Sequence, residues 1–493
     1  MLKLVASVMP TGREAAARDF RRAAMGGADW IELRLDLWPK DLPLAPLLRE
    51  APLPVLVACR LPRDGGLYAG SLEERRLLLD QALADGARGI DLEQWETWTP
   101  TPRPTIELVI RSCHALDAMP EDLPRLRDEL LALGGQIAKL AVRLDDMAAA
   151  GPLLDLLAST DQQTAPTAAF GIGPAAMPTR VLACMLGAPL AYASLGAGTE
   201  TAPGQISLEE VTGVYDLRAL SGTTMLFGLL GNPARHSLSP WLHNRAFRWL
   251  GLDAVYLPFE TADPARLLAA LPRRRLRGLS VTAPFKEVML KRCHQLDPAA
   301  ARVQAVNTLV FAAHGVVAGY NTDVAGVRGA LLRAGLAPAV TPAPAAVLGT
   351  GGGARAAVVA LQELGFAVSM LGRNVERVRE FAQTVGAALA PLEARVLTML
   401  QPRVVVHATP CGSAGAPEQP ARLVPEWVPE RGTFVLDMVY RPAETPLLRD
   451  ARAAGAVAVS GFEMFLTQAA EQALLFTGRR PGEDLLRRFV AGS

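Results

Sequence analysis

Cysteine is scarce and scattered in this chain of 493 residues, which carries five: Cys59, Cys113, Cys184, Cys293 and Cys411. The number is odd and no Cys-x-x-Cys pair occurs, which argues against a disulfide framework or a zinc cluster and for reduced thiols in a cytoplasm. No metal site is expected. An excess of charge is also lacking: 50 Lys and Arg stand against 49 Asp and Glu, a formal net charge of +1, with no acidic or basic tail. Nothing here favours nucleic acid or a membrane surface as partner. No apolar run of membrane-spanning length is free of charge or proline. The opening "MLKLVASVMP" has neither the long apolar region nor the small-residue cleavage site of a signal peptide. A cytoplasmic globular protein is expected. At this length one hydrophobic core has stopped growing, so two or three domains are expected.

What is present is a rhythm. Over the first 220 or so residues short apolar runs alternate with polar turns and helical stretches such as "SLEERRLLLDQALADG". The strand candidates are 3–8, 30–36, 55–60, 89–93, 107–114, 137–143, 167–173 and 190–195. Eight such units in that length predict an α/β fold, a (β/α)8 barrel, with a doubly wound open sheet as the alternative. "SGTT" (221–224) is a polar joint and "GLAPAVTPAPAA" (335–346) a second seam. The expected parts are 1–220, 223–335 and 345–460, with a helical piece, 461–493, that packs back to complete the middle part.

Charges inside strand candidates carry the chemistry. Glu32 and Arg34 alternate in "IELRLD", Arg60 ends "VLVACR", His114 ends "ELVIRSCH", and Lys139 lies within "IAKLAVR". Taken alone, Lys139 reads as the wet face of a strand, and each arginine as a surface ion pair. In a barrel both strand faces are covered, and an amine removed from water favours its neutral, nucleophilic form. His114 at the same rim suits a general base. Arg34, Arg60 and Arg180 offer forked donors to a carboxylate at the strand ends, where barrel active sites sit.

These residues, with "TRV" around Arg180 and "TAPGQ" (201–205), resemble type I 3-dehydroquinate dehydratase over roughly residues 3–218. The resemblance implies a Schiff base between Lys139 and the ketone of 3-dehydroquinate, with His114 moving the proton and helping to expel water. It also implies a pocket lined by Ser7, Glu32, Arg34, Arg60, Arg180, Thr201 and Gln205. The chain departs from the family's pattern at Thr201 (usually Ser), Asp64 (commonly Glu), Ala115 (often Asp) and in the loop "FGIGPAA" (170–176).

Farther on, "VLGTGGGARAAVVALQELG" places Gly349, Gly351 and Ala354 in a G-x-G-x-x-(G/A) turn between a strand and a helix. Such a turn lets the backbone approach a pyrophosphate at a helix N-terminus. The next strand ends in "GRNVER", with Arg373 and Arg377 and no acid before them, which favours the 2′-phosphate of NADP over NAD. Before the turn, "GNPARHSLSPWLHN", "SVTAPFK", "AVNTL" and "GYNTDVAG" supply Ser237, Ser239, Thr282 and Asn307 for a polyhydroxylated ring. They also supply the titratable pair Lys286 and Asp323, of which Lys286 alone reads equally as a surface lysine.

With "DMVYRPAETPLL" and "GFEMFLTQAAEQ", these motifs resemble shikimate dehydrogenase over about 226–490. The resemblance implies a Rossmann-like NADP(H)-binding domain and a Lys286–Asp323 dyad, with Tyr440 and Gln468 at the substrate. It places Gly349, Thr350, Gly351, Gly352, Gly353, Arg373, Asn374, Arg377, Met438 and Gly461 at the cofactor. His407, where Asn is usual, and Gly353, where Ala is usual, depart from the pattern.

Together the two resemblances imply consecutive steps, from 3-dehydroquinate through 3-dehydroshikimate to shikimate. The alternatives are a quinate-using dehydrogenase and a quinate-sensing regulator without catalysis. Retention of Lys139, His114, Lys286 and Asp323, with no DNA-binding module or basic face, argues against the regulator. Oligomeric state is left open, with a homodimer among the choices.

Overall fold

The computed structural model describes residues 2–39, 41–414 and 422–491. Its first sheet contains β1 (Lys3–Val8), β2 (Trp30–Arg34), β3 (Val55–Ala58), β4 (Gly89–Glu93), β5 (Leu108–Ala115), β6 (Ile137–Arg143), β7 (Thr167–Ile172), β8 (Leu190–Ser194) and the short β9 (Ile206–Ser207). The order is β7-β6-β5-β4-β3-β2-β1-β8-β9. Successive strands are thus neighbours, and β1 pairs on its other side with β8. That is the winding of a (β/α)8 barrel and not the reversed order of a doubly wound sheet. Helices fill the connections between successive barrel strands except that from β4 to β5. "SLEE" starts one of them as expected of a capping box: Ser71 and Glu74 bond each other's backbone N–H at the head of the helix Leu72–Asp85.

Side chains alternate along a strand, so every second residue faces the interior. Val5, Trp30, Leu56, Ile110, Ile137, Ala168 and Leu190 share one apolar cluster there. Two residues farther along the same strands the interior turns polar, with Ser7, Glu32, Ser112 and Lys139 all buried. An apolar floor under a charged rim is a direct product of the period of two. Among the described residues no hydrogen-bonded ladder joins β7 to β8. Instead, the Phe170 and Tyr192 rings meet there with centroids 5.9 Å apart.

A second sheet holds β10 (Met225–Gly231), β11 (Ala254–Glu260), β12 (Leu276–Val281), β13 (Gln295–Leu296), β14 (Thr308–Phe311) and β15 (Val317–Tyr320), in the order β11-β10-β12-β14-β15-β13. The third holds β16 (Ala343–Leu348), β17 (Phe366–Gly372), β18 (Ala388–Pro391), β19 (Val404–His407), β20 (Phe434–Asp437) and β21 (Val457–Ser460). It is parallel and ordered β18-β17-β16-β19-β20-β21. The direction of winding reverses at β16, the switch point at which dinucleotides bind. Two compact units divide the chain, one of residues 1–227, 233–240 and 247–276, the other of 228–232, 241–246 and 277–493. Among the described residues no helix is long and apolar enough to cross a membrane, and no group of three or more His, Cys, Asp or Glu is placed to hold a metal ion.

Candidate active sites

Lys139 sits in the barrel interior at 2% exposure. Its Nζ lies 2.7 Å from Asp91 Oδ2 and 3.6 Å from Glu32 Oε1, and 4.2 Å from the centroid of the Tyr192 ring. Arg60 reaches the same two carboxylates, with Nη2 2.8 Å from Glu32 and 3.1 Å from Asp91. Buried charges persist only when paired and hydrogen-bonded, and here two cations and two anions interlock. Burial alone would raise the Glu32 carboxyl; the charges of Lys139, Arg60 and Arg34 outweigh it and bring it down to about 2. Asp91 is likewise held well below the usual carboxylate range, by Lys139 and Arg60 against its burial. Ser7 Oγ donates to Glu32 at 2.7 Å, and Ser112 Oγ donates to Asp91.

His114 Nδ1 is 3.0 Å from Glu93 Oε2. Burial, then the charges of Arg60 and Lys139, push His114 well below its ordinary value. Burial, then the neighbouring Asp91, push Glu93 up to about 8. The surroundings therefore oppose charge on either member of the pair. Asp64 turns elsewhere, accepting from Trp95 Nε1 at 3.0 and 3.1 Å.

The arginines divide. Arg34 bonds Asp36 through Nε and Nη2, at 3.0 and 2.5 Å, and its Nη1 has no hydrogen-bond partner among the described residues. Asp36 also accepts from the backbone of Arg60 and Leu67, so this pair ties down the loop after β3. Arg180, on the helix Met177–Met185, is buried, yet its Nε and Nη2 have no hydrogen-bond partner among the described residues. Burial pulls its pKa down to about 10, which leaves it charged at neutral pH. Its guanidinium lies 4.4 Å over the Phe170 ring. The "TAPGQ" loop closes on itself, with the Thr201 N–H and Oγ1 donating to Gln205 Oε1 at 2.9 and 3.3 Å. Gly204 has φ +77° and lies so close to Gly173 O (2.1 Å from where a Cβ would stand) that no side chain fits. The two loops that depart from the family pattern are therefore in backbone contact.

Asp91, Glu93, Ser112 and Tyr192 are absent from the sequence-derived site. For Asp91 and Glu93 the signal is in the text: "GIDLE" carries two charged residues two apart inside a strand, as "IELRL" does with Glu32 and Arg34.

In the second cluster, Lys286 opens the helix Lys286–Leu290 and Asp323 the helix Asp323–Arg333. Lys286 Nζ donates to Asp323 Oδ2 at 2.5 Å. Asn307 Nδ2 donates to the other carboxylate oxygen at 2.9 Å and to Thr322 Oγ1 at 2.9 Å. Thr322 Oγ1 in turn lies 3.4 Å from Gln468 Oε1. Gln468 and Tyr440 meet at Phe465: Gln468 Nε2 donates to its carbonyl at 3.2 Å, and the Tyr440 ring stacks on it at 5.1 Å. Thr282 is half-buried just past β12, its N–H bonded to Leu230 O at 2.9 Å. Ser237 Oγ donates to Ser239 Oγ at 3.0 Å at the head of the helix Ser239–Trp249.

The glycine turn follows β16 directly. Gly349 has φ +130° and packs on Ala408 O, 2.9 Å from a hypothetical Cβ. A Cβ on Gly352 would come within 3.2 Å of the Lys286 stem, and one on Gly353 within 3.1 Å of Met438 Cε. One on Gly461 would lie 2.6 Å from the Asp437 and Met438 carbonyls. The turn from Gly349 through Thr350 to Gly353 thus lies beside Lys286 and Met438 and leads into the helix Gly352–Glu363. A pyrophosphate fits such a cradle. Arg373, Asn374 and Arg377 are exposed just past β17. His407 has both ring nitrogens bonded, to Asp437 Oδ1 at 2.8 Å and Thr409 Oγ1 at 2.6 Å, which joins the ends of β19 and β20.

A charged rim inside a (β/α)8 barrel and a lysine–aspartate pair beside a dinucleotide turn define a two-site α/β enzyme. The type I 3-dehydroquinase family matches residues 4–221, and the shikimate dehydrogenase substrate binding domain matches 229–309. The chloroplastic bifunctional 3-dehydroquinate dehydratase/shikimate dehydrogenase of Arabidopsis thaliana is 31% identical over 98% of this chain and 83% of its own length. The chain belongs to this bifunctional family. The shikimate dehydrogenase (NADP(+)) of Acidiphilium cryptum is 41% identical over 55% of this chain and 98% of its own. Among solved structures, the dehydroquinate dehydratase and shikimate dehydrogenase of S. pombe is 23% identical, aligned over 99% of this chain and 98% of its own, with a TM-score of 0.45.

Proposed function

We propose that the chain dehydrates 3-dehydroquinate to 3-dehydroshikimate in its barrel and reduces that ketone to shikimate, with NADPH, in its second half. The observation that carries this reading is the coexistence of a buried amine, Lys139, and a buried guanidinium edge, Nε and Nη2 of Arg180, that has no partner among the described residues. A keto acid satisfies both, the carboxylate taking the fork and the ketone the amine.

In the first reaction the Lys139 nitrogen adds to the ketone carbon. The sum is one ammonium and one ketone giving one iminium and one water. The iminium draws electrons from the neighbouring C–H bond, and His114 takes that proton. Because Nδ1 is held by Glu93, Nε2 is the nitrogen left for the substrate. The electron pair then expels the hydroxyl, which leaves as water with the proton from His114. Hydrolysis of the iminium frees Lys139, so one water is lost overall. Ser7, Glu32, Arg34 and Arg60 orient Lys139 and the ring, and Thr201 and Gln205 close over it.

Glu93 is the positioning residue of this set, and Glu93→Gln separates its two effects. Burial and Asp91 push its carboxyl from an ordinary 4.5 up to about 8 in the fold. Its carboxyl thus favours folding below pH 4.5 and costs stability as pH rises toward 8. The amide removes that cost, so the variant is expected to melt higher than the wild type at pH 8 and alike at pH 4. Dehydratase kcat is expected to fall by about 10²-fold, because the amide keeps one acceptor oxygen for His114 but can no longer exchange a proton with it. Melting curves and kcat at the two pH values check both.

In the second reaction Lys286 donates a proton to the ketone oxygen, held in place by Asp323, which Asn307 holds in turn. Bound NADPH supplies the hydride. Ser237, Ser239, Thr282, Asn307, Tyr440 and Gln468 bind the ring hydroxyls and carboxylate. The turn Gly349–Gly353 takes the pyrophosphate, with Met438 and Gly461 beside it, and Arg373, Asn374 and Arg377 take the 2′-phosphate. Replacing both arginines by serine is expected to raise KM for NADPH about 10- to 100-fold and to leave KM for NADH nearly level, because only the former carries the phosphate.

The same reading divides the chain into a dehydratase barrel (1–220), a substrate-binding part (223–335, completed by 461–493) and a nucleotide part (345–460). The helix Gly461–Thr477 supports the return of the terminal segment: Gln472 accepts from Ser280 and donates to Thr308. The five cysteines are free thiols, consistent with a reducing cytoplasm. One mixture tests the whole reading. Protein with 3-dehydroquinate should raise enone absorbance, and added NADPH should then be consumed; failure of both sinks it.

A further inference from the structure

Tyr192 projects from β8 with its ring under the Lys139 amine, Nζ 4.2 Å from the centroid. The residue is 5% exposed, and its hydroxyl has no hydrogen-bond partner among the described residues. A buried phenol ordinarily finds one, so hydrogen bonding does not account for tyrosine here. Burial, then Asp91 and Glu32, push the phenol well above its ordinary pKa, and the ring stays neutral. Its neighbour repeats the arrangement: Tyr192 touches Phe170, and Phe170 lies under the Arg180 guanidinium at 4.4 Å. Each of the two cations assigned to the keto acid thus rests on an aromatic face, and the two rings meet at the β7/β8 seam.

We propose that Tyr192 is a catalytic residue of the dehydratase site, its ring face stabilising the positive charge that returns to the Lys139 nitrogen as the carbinolamine loses water to become the iminium. This rests on the Schiff-base reading above. In the carbinolamine the C–N bond has formed, the ketone oxygen has become a hydroxyl, and the nitrogen is neutral. When the C–O bond breaks, that hydroxyl takes back the proton the ammonium shed on forming the adduct and leaves as water, while the nitrogen lone pair becomes the second bond to carbon. The nitrogen is then cationic with a single N–H. The free ammonium has three, enough for both Asp91 and Glu32; the iminium serves one of them. An aromatic face needs no N–H to attract a cation, and a dry interior strengthens the attraction. Tyr192 therefore holds the adduct's charge at the stage where its hydrogen bonds are fewest.

The test grades the ring while keeping its shape. Tyr192→Phe and its mono-, di- and trifluorinated analogues lower the negative potential of the face stepwise with little change in volume, and Tyr192→Leu removes it. The readouts are dehydratase kcat and the fraction of Lys139 trapped by borohydride at saturating 3-dehydroquinate. Both are expected to fall progressively with each fluorine, and Tyr192→Leu to lie about 30-fold below wild type in kcat. A flat fluorinated series overturns the proposal, as does leucine matching phenylalanine. Should the leucine variant fail to fold, the fluorinated series decides alone. Wild-type protein that is not trapped at Lys139 discards the Schiff-base reading itself. Trapping there with a flat series discards only the role of Tyr192.

Discussion

Replacing Lys139 by methionine is expected to abolish dehydration of 3-dehydroquinate, by about 10⁴-fold or more, while supplied 3-dehydroshikimate is still reduced with NADPH. The loss is that large because a nucleophile held against its electrophile acts at an effective concentration no dissolved amine attains. Borohydride labelling with substrate should disappear with it. The variant is also expected to be less stable. Lys139 is bonded to Asp91 at 2.7 Å and lies 3.6 Å from Glu32, and removing one partner of a buried ion pair costs about 3–5 kcal/mol. Arg60 remains to serve both carboxylates, so the lower end of that range is expected. The deficit depends on pH. In the wild type the charges around Glu32 outweigh its burial and hold its carboxyl down to about 2, against an ordinary 4.5. Its contribution is full above pH 4.5 and is lost as pH falls toward 2. Methionine removes the largest of the charges that hold Glu32 down, so the difference in Tm between variant and wild type should be widest near pH 6 and narrow toward pH 3. A difference independent of pH would mean that Lys139 contributes packing and no charge.

Asp323→Asn is expected to have the second largest effect, on the other reaction alone. The carboxylate accepts from Lys286 on one oxygen and from Asn307 on the other. An amide has one acceptor oxygen, so whichever way it turns, its NH2 faces a donor. Either Lys286 loses its anchor or Asn307 swings away. Ketone reduction is expected to slow by about 10²- to 10³-fold in kcat, with a smaller change in KM for 3-dehydroshikimate, since the lost interaction acts on proton transfer. Dehydratase kcat serves as the internal control. Equal loss in both reactions would point to misfolding.

Much of this was legible in the sequence. The eight expected barrel strands coincide with β1–β8 to within two residues at each end, because a strand buried on both faces writes its limits as an apolar run between turn residues. The glycine turn was legible for another local reason: strand, turn and helix are contiguous, and their contacts lie within a few residues of one another. The charged rim was legible only in part. Glu32, Arg34, His114 and Lys139 stand out as charges inside strands; Asp91 and Glu93 have the same pattern in "GIDLE" but no motif that singles them out. An acid on a strand has an innocent reading, a wet face, until the sheet is known to curl.

The sequence by itself determined the period of each element, the order of the parts and the residue types available for imine formation and hydride transfer. These depend on neighbours along the chain. Only the tertiary structure decided which charges meet. Lys139 finds Asp91 at a distance of 48 residues and Ser7 finds Glu32 across 25. It also decided that His114 bonds Glu93 while Asp64 turns to Trp95, that Arg34 pairs with Asp36 while Arg180 pairs with no carboxylate among the described residues, and that Tyr192 lies under the amine. Each of these follows from register and curvature. One residue of slip would send every side chain of a strand to the other face, and the curvature of the sheet brings together rim residues that no local pattern links.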